Sequence, residues 1–293
     1  MRQKIYVGIL SVLLSVSVAE ARESWNGRIL DVKKQSPVTL TELSAQMARF
    51  EYVVLGEKHY TNSVQLVEAA LIENIVASAG AEGRFTTAWE FLNYTNRNSI
   101  SDLFSKFMAG KITAGDFLLS TQGNPTSYSY APVLEVTKKL RGELFATNLS
   151  SKEKAPIVKD GIGAADPAFV PAGFALGGEF YKERFAEAMG GHAPPEKLDN
   201  YFAAQSLTDD FMAFHMAEEL KTSLNFMIVG SFHSDYLDGF VTRLHVRAPR
   251  SSVAVIKIVD ASDFAEEELI PNLKHSRYGE IADFVYFVNE PRK

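Results

Sequence analysis

Two stretches of this chain place an acid or an imidazole directly after an apolar run that a glycine breaks. In Tyr52-Val-Val-Leu-Gly-Glu-Lys-His59, the run Tyr52 to Leu55 ends at Gly56, and Glu57 and His59 follow at once. In the second stretch, Asn225 to Val229 closes on Gly230 and leads into Ser231-Phe-His233. A third run, Phe85 to Leu92, holds Glu90 near its C-terminal end, and a fourth, Leu144 to Thr147, closes on Asn148. Imidazole and carboxylate side chains bind divalent cations. They also take protons from water and return them, as hydrolysis requires. Glu57, His59, Glu90 and His233 therefore form the candidate catalytic cluster, and His59, His233 and Glu57 are the candidate metal donors. Their spacing is not that of a His-Glu-x-x-His zinc helix. Gln205, Asp209, Met212 and Met216 recur at spacings of four, three and four, which puts them on one helical face. We assign Gln205 and Asp209, with Asn148, to the lining of the same crevice, and the methionines to the core.

For these groups to meet, the runs that carry them must lie side by side. Strands are expected at Tyr52 to Leu55, Phe85 to Leu92, Leu144 to Thr147, Asn225 to Val229, Val253 to Val259 and Phe284 to Asn289. Between them, periodicity and stop signals predict helices. Thr39-Leu-Thr-Glu42 has capping-box spacing and leads into a short helix ending near Phe50. Further helices are expected over Asn62 to Ala79 with its stop at Gly80, Ser99 to Ala109, Ala114 to Leu119, Ala131 to Leu140, Gly178 to Met189 and Glu196 to Leu220. Another is expected to start near Ser234, while residues 152–171 read as irregular. Strands alternating with helices specify an α/β fold. It has a mostly parallel central sheet flanked by helices on both faces, with helical excursions. In such a sheet the carboxyl ends of the strands open onto a crevice.

The first residues stand apart. Arg2 and Lys4 precede the apolar run Ile5 to Val18, and Ala19-Glu-Ala21 fits a cleavage site. Residues 1–21 thus read as a secretory signal peptide, followed by one α/β domain over residues 22–293. Removal of that unit takes away Arg2, Lys4 and Glu20, a net +1, and moves the charge from −6 to −7. An acidic exported chain is poorly suited to nucleic acid, whose phosphates are neutralised by Lys and Arg. No later run is long and apolar enough to span a bilayer, so no stable membrane span is expected after cleavage. The chain has 0 cysteines, which excludes disulfides, thiolate metal sites, a catalytic thiol and the acylated cysteine of a lipoprotein. Periplasmic or secreted localisation follows as the expectation.

Several of these motifs also occur together in a known family. Gly56-Glu-Lys-His59 with Gln65, Trp89-Glu-Phe91, Asn148-Leu-Ser150, Ala204-Gln-Ser-Leu-Thr-Asp209 with Met212-Ala213, and Gly230-Ser-Phe-His233 with Gly239 resemble, in order, the motifs of ChaN-like proteins, and Ala282-Asp-Phe-Val-Tyr-Phe287 suits the last strand. These are haem-binding uptake proteins of the Tiki and TraB superfamily. The resemblance covers about residues 50–290 and implies an erythromycin-esterase/ChaN-like fold. It further implies haem as cofactor, a role in iron acquisition, and a homodimer holding haem between subunits. Tiki-type relatives imply the alternative, a metal-dependent hydrolase or protease that would use Glu57, His59, Glu90 and His233. The chain departs from the family's pattern in its aromatic middle segment, present only as Tyr128-Ser-Tyr130-Ala-Pro132, and in the basic residue after Asn148-Leu-Ser150, displaced to Lys152. For haem, whose iron takes His, Met or Tyr, the candidate ligands are Tyr201, Tyr181, Tyr236 and His192, in segments expected to cover the sheet's edge. A third option is a ligand-binding module in which the polar cluster only stabilises the crevice.

Overall fold

A computed structural model describes residues 26–289 of the chain. The signal-peptide reading of residues 1–21 lies outside the described residues. The fold begins with β1 (Ile29–Asp31) and β2 (Ser36–Val38), an antiparallel pair too short to show an alternating pattern in the sequence. Then come α1 (Leu40–Met47), β3 (Tyr52–Glu57), α2 (Asn62–Ala79), β4 (Phe85–Asn93), α3 (Arg97–Met108), α4 (Ala114–Gln122), α5 (Ala131–Lys139) and β5 (Glu143–Asn148). The chain continues through α6 (Ser151–Asp160), α7 (Glu179–Met189), α8 (Leu198–Glu219), β6 (Leu224–Gly230), α9 (Phe240–Arg247) and β7 (Val253–Asp260). A two-stranded hairpin, β8 (Lys274–His275) with β9 (Gly279–Glu280), precedes β10 (Phe284–Val288).

Eight strands form one sheet in the order β2-β1-β10-β7-β3-β6-β4-β5. β1 pairs antiparallel with β2 and β10, and every neighbouring pair from β10 to β5 is parallel. β3, whose six residues are all buried, lies between β7 and β6. Its alternate side chains serve two helical layers. Val53 and Leu55 pack with Leu43, Met47, Val64, Leu71 and Leu134 from α1, α2 and α5. Tyr52 and Val54 pack with Met212, Met216, Phe240 and Leu244 from α8 and α9. Each fully buried aliphatic side chain contributes ~1.5–3 kcal/mol, so both faces are covered because both are apolar.

Local signals explain most helix ends. Thr39 and Glu42 exchange the two hydrogen bonds of a capping box at the start of α1, at 2.8 and 3.2 Å. Two expectations fail. Residues 151–160, read as mostly irregular, form α6 despite Pro156. An interior proline costs about 3 kcal/mol. A Ser150–Glu153 capping box and burial of Ile157 against Ala203, Leu207 and Phe211 of α8 offset that cost. The helix expected at Ser234 starts only at Phe240, after two short helical turns in which Tyr236 and Leu237 adopt φ of 63° and 57°.

Candidate functional site

The two strand-glycine-histidine units lie side by side, with Glu57 opposite Gly230 and Gly56 opposite Val229 in the β3–β6 register. The glycines are there for room. A Cβ on Gly56 would lie 2.3 Å from Ser234 Oγ, and one on Gly230 would lie 2.6 Å from His59 Nε2. Each glycine therefore admits a side chain from the loop that follows the other strand. In β4 the register with β5 shifts between Trp89 and Asn93. Such an irregularity re-aims side chains, and Glu90 sits within it.

The result is a chain of hydrogen bonds and ion pairs across the carboxyl ends of three strands. Glu57 is 2% exposed. It accepts from His59 Nδ1 at 2.6 Å, Tyr130 Oη at 2.5 Å and Gln65 Nε2 at 2.6 Å. His59 Nε2 lies 3.3 Å from Glu90 Oε1. Glu90 Oε2 accepts the Gly230 N–H at 2.7 Å and lies 3.6 Å from His233 Nε2. His233 Nδ1 donates to Asp209 Oδ1 at 2.5 Å, and Asp209 Oδ2 accepts from Tyr181 Oη at 2.5 Å. Gln205 Nε2 donates to Tyr181 Oη at 3.2 Å. Two carboxyl–imidazole pairs thus face each other across Glu90, and a buried tyrosine closes each end.

Burial and charge pull in opposite directions here. Burial disfavours a charged His233, but Asp209 and Glu90 outweigh it and raise the imidazole to about 9. Burial likewise opposes the charge on His59, and Glu57 with Glu90 raises it nonetheless. Burial raises the carboxyls of Glu57 and Asp209, each partly offset by its histidine. Lys154 of α6 stands near this group. Burial lowers its ammonium, opposed by Glu90 and Asp209. Such a site can hold a proton at several points.

The mouth itself is aromatic. Tyr60, held at φ 57° and 43% exposed, stacks on Phe91 with centroids 5.3 Å apart and planes at 20°. The His59 ring lies 4.7 Å from Phe91, and its side chain is 37% exposed. Tyr130 packs on Trp89 at 4.5 Å behind them.

Of the residues singled out in the sequence, Glu57, His59, Glu90, His233, Asp209, Gln205 and Tyr181 come together. Asn148 sits half-buried at the end of β5, its Oδ1 without a hydrogen-bond partner among the described residues. Tyr181 is 1% exposed and its hydroxyl is committed to Asp209. Tyr201 packs on the Tyr181–Phe185–Phe202 cluster, Tyr236 lies under the Arg184 guanidinium at 4.7 Å, and His192 is exposed in the turn after α7. Lys152 is exposed, whereas Lys154 lies partly buried near Glu90 and Asp209. Sequence reasoning gave no role to Tyr60, Tyr130, Lys154 or Glu68. An acid such as Glu68 between Val64 and Leu71 on the apolar side of a helix was the one signal available.

A divalent ion fits this donor set poorly. Both nitrogens of His59 face carboxyls, Nδ1 of His233 is held by Asp209, and among the described residues no group of three His, Asp or Glu side chains is arranged to hold a metal.

The profile of the family described as haem-binding uptake, Tiki superfamily, ChaN matches residues 43–244. The chain belongs to this family. Its motif-bearing elements from β3 to β6 lie within the match. Among solved structures, the chain is similar to ChaN of Campylobacter jejuni, a structure described as showing cofacial haem binding. Identity is 18% and the TM-score 0.66, over 89% of this chain and 96% of that one. A weaker likeness, with 11% identity and a TM-score of 0.47, is to the type III effector HopBA1, over 92% of this chain and 99% of that one. Among curated proteins, none matches the chain. The mostly parallel α/β architecture is that of the ChaN structure.

Proposed function

We propose that this chain is an exported haem-binding protein of iron uptake, and that the porphyrin lies on the Tyr60–Phe91 shelf at the crevice mouth. The observation that carries the reading is the shelf itself: two stacked rings, one 43% exposed, beside a half-exposed imidazole, in a family named for haem binding. Haem needs an apolar face and an axial His, Met or Tyr. Tyr60 joins Tyr201, Tyr236 and His192 as candidate ligands, and Tyr181 would have to give up Asp209 to serve. Export rests on the N-terminal unit of residues 1–21, with the periplasm or the exterior as destination. Two copies holding haem between them is the assembly we expect. Hemin titration tests the reading: a saturable Soret shift is expected, with affinity lowered about tenfold or more in Tyr60→Phe. Absence of any Soret shift overturns it.

A second reading, hydrolysis, draws support from the paired carboxyls and imidazoles. Glu57 would orient His59, whose Nε2 would take a proton from water once released from Glu90. Turnover of ester or peptide panels, rising with pH and lost in His59→Ala, is the expected result. Equal inactivity of the wild type, with or without added zinc, manganese or cobalt, removes this reading.

A further inference from the structure

The hydrogen-bonded chain uses one end of Gln65 and none of Glu68. Gln65 Nε2 donates to Glu57 Oε2 at 2.6 Å and to the Lys58 carbonyl at 3.3 Å. Its Oε1 is buried and has no hydrogen-bond partner among the described residues. Glu68 follows three positions later on the inner side of α2, and both side chains are 0% exposed. Neither carboxyl oxygen of Glu68 has a hydrogen-bond partner among the described residues. Side chains three apart on a helix are neighbours.

These orphans are costly. A buried acceptor with no donor loses ~1–3 kcal/mol, and an unpaired buried carboxylate loses more. One proton relieves both, because a neutral carboxylic acid is an O–H donor and the amide oxygen beside it lacks one. Burial first, and then Glu57, hold the Glu68 carboxyl well above the ordinary range. Glu57 on β3 and Tyr130 before α5 are the titratable groups that interact with it.

We propose that Glu68 is a neutral acid whose hydroxyl donates to Gln65 Oε1, directly or through one buried water, and so is the positioning residue that points the Gln65 amide nitrogen at Glu57. With its oxygen held, the amide cannot flip. Glu57 keeps its third donor, and the Glu57–His59 pair keeps its geometry. This role does not depend on which ligand the crevice takes.

Two near-isosteric variants of the full chain test it. Glu68→Gln retains a donor, and Glu68→Met does not. The infrared spectrum of the wild type at neutral pH should show a protonated-carboxyl C=O stretch that Glu68→Gln removes. The His59 imidazole midpoint, followed by NMR, should be unchanged in Glu68→Gln. In Glu68→Met it should rise by about half a unit, because a carboxylate that loses a donor holds the imidazolium proton more tightly. A wild-type spectrum without that band, or one whose protonated-carboxyl band loses no component on Glu68→Gln, shows an ionised Glu68 and overturns the proposal. Equal His59 shifts in both variants overturn the positioning role. If Glu68→Met fails to fold, the infrared comparison with Glu68→Gln and the unchanged His59 midpoint in that variant decide.

Discussion

Helix α8 takes part in two carboxyl–imidazole pairs, and they behave in opposite ways. Toward the crevice, Asp209 holds His233, and the imidazole is raised to about 9. Near its C-terminal end, Glu219 holds His215, yet that imidazole is lowered. Burial works against the charge on both histidines. The difference lies in the surroundings. His233 has a second acid, Glu90, on its other nitrogen. His215 shares its acid, Glu219, with Arg97, which pairs with Glu219 and stacks over Tyr94 at 4.1 Å. A carboxylate beside a histidine is therefore no mark of function in itself. A surplus of acid over cation is what charges the imidazole, and of these two pairs the crevice pair has it.

Breaking the crevice pair should produce the largest effect. Asp209→Asn removes the main partner of the buried His233 imidazolium, forces it to give up its proton, and should cost about 3–5 kcal/mol in chemical denaturation. The His233 midpoint should drop below 6.5 as burial takes over. A variant that keeps wild-type stability would mean that Asp209 and His233 are not an ion pair.

The pH dependence comes next. The folded value of His233 lies above the unfolded 6.5, so its stabilisation is complete below about 6.5 and is lost as pH rises through about 9. The shift corresponds to ~3 kcal/mol. His215, lowered in the fold, acts with the opposite sign but at and below about 6.5, whereas His59, raised in the fold, adds to the fall. Denaturation midpoints measured from pH 6 to about pH 9.5 should decline, and should decline less in His233→Gln. A flat profile in the wild type would contradict the raised imidazole.

Crowding should have a smaller effect. Gly230→Ala puts a methyl 2.6 Å from His59 and should cost about 1–3 kcal/mol, typical of overpacking. His59 should lose its contact with Glu90, seen as a lowered His59 midpoint. Preservation of both quantities would show that the loop yields freely.

The smallest effect belongs to the other pair. Glu219 is 33% exposed and Arg97 29%, so Glu219→Gln should cost about 1 kcal/mol or less. It should lower the His215 midpoint further. A cost matching that of Asp209→Asn would erase the distinction between the two pairs.

Much of the fold was readable because it is local. All six expected strands form, and so do the helices with capping boxes or glycine stops. The misses have specific causes. β1 and β2 are three residues each and take their place from pairing with β10. Helix α6 survives Pro156 through contacts with α8, 40 or more residues away in sequence. The turns after Gly230 delay α9 because Ser234 must fill the space over Gly56. In the site, the acids and histidines at strand ends were legible, since polar groups after apolar runs stand out. Tyr130, Lys154 and Tyr60 were not, because each lies in a segment whose polarity fits an ordinary loop or helix surface.

The sequence by itself determined the strand-glycine-histidine units, the alternation of strands and helices, and the shared face of Gln205 and Asp209. Each follows from backbone period or from the size of one side chain. Only the tertiary structure decided that Gly230 clears room for His59 and Gly56 for Ser234, that Glu90 stands between two imidazoles, and that His215 stays outside the chain of charges. These depend on the register of parallel strands joined by long crossovers and on which cation reaches which acid, and no local pattern encodes either.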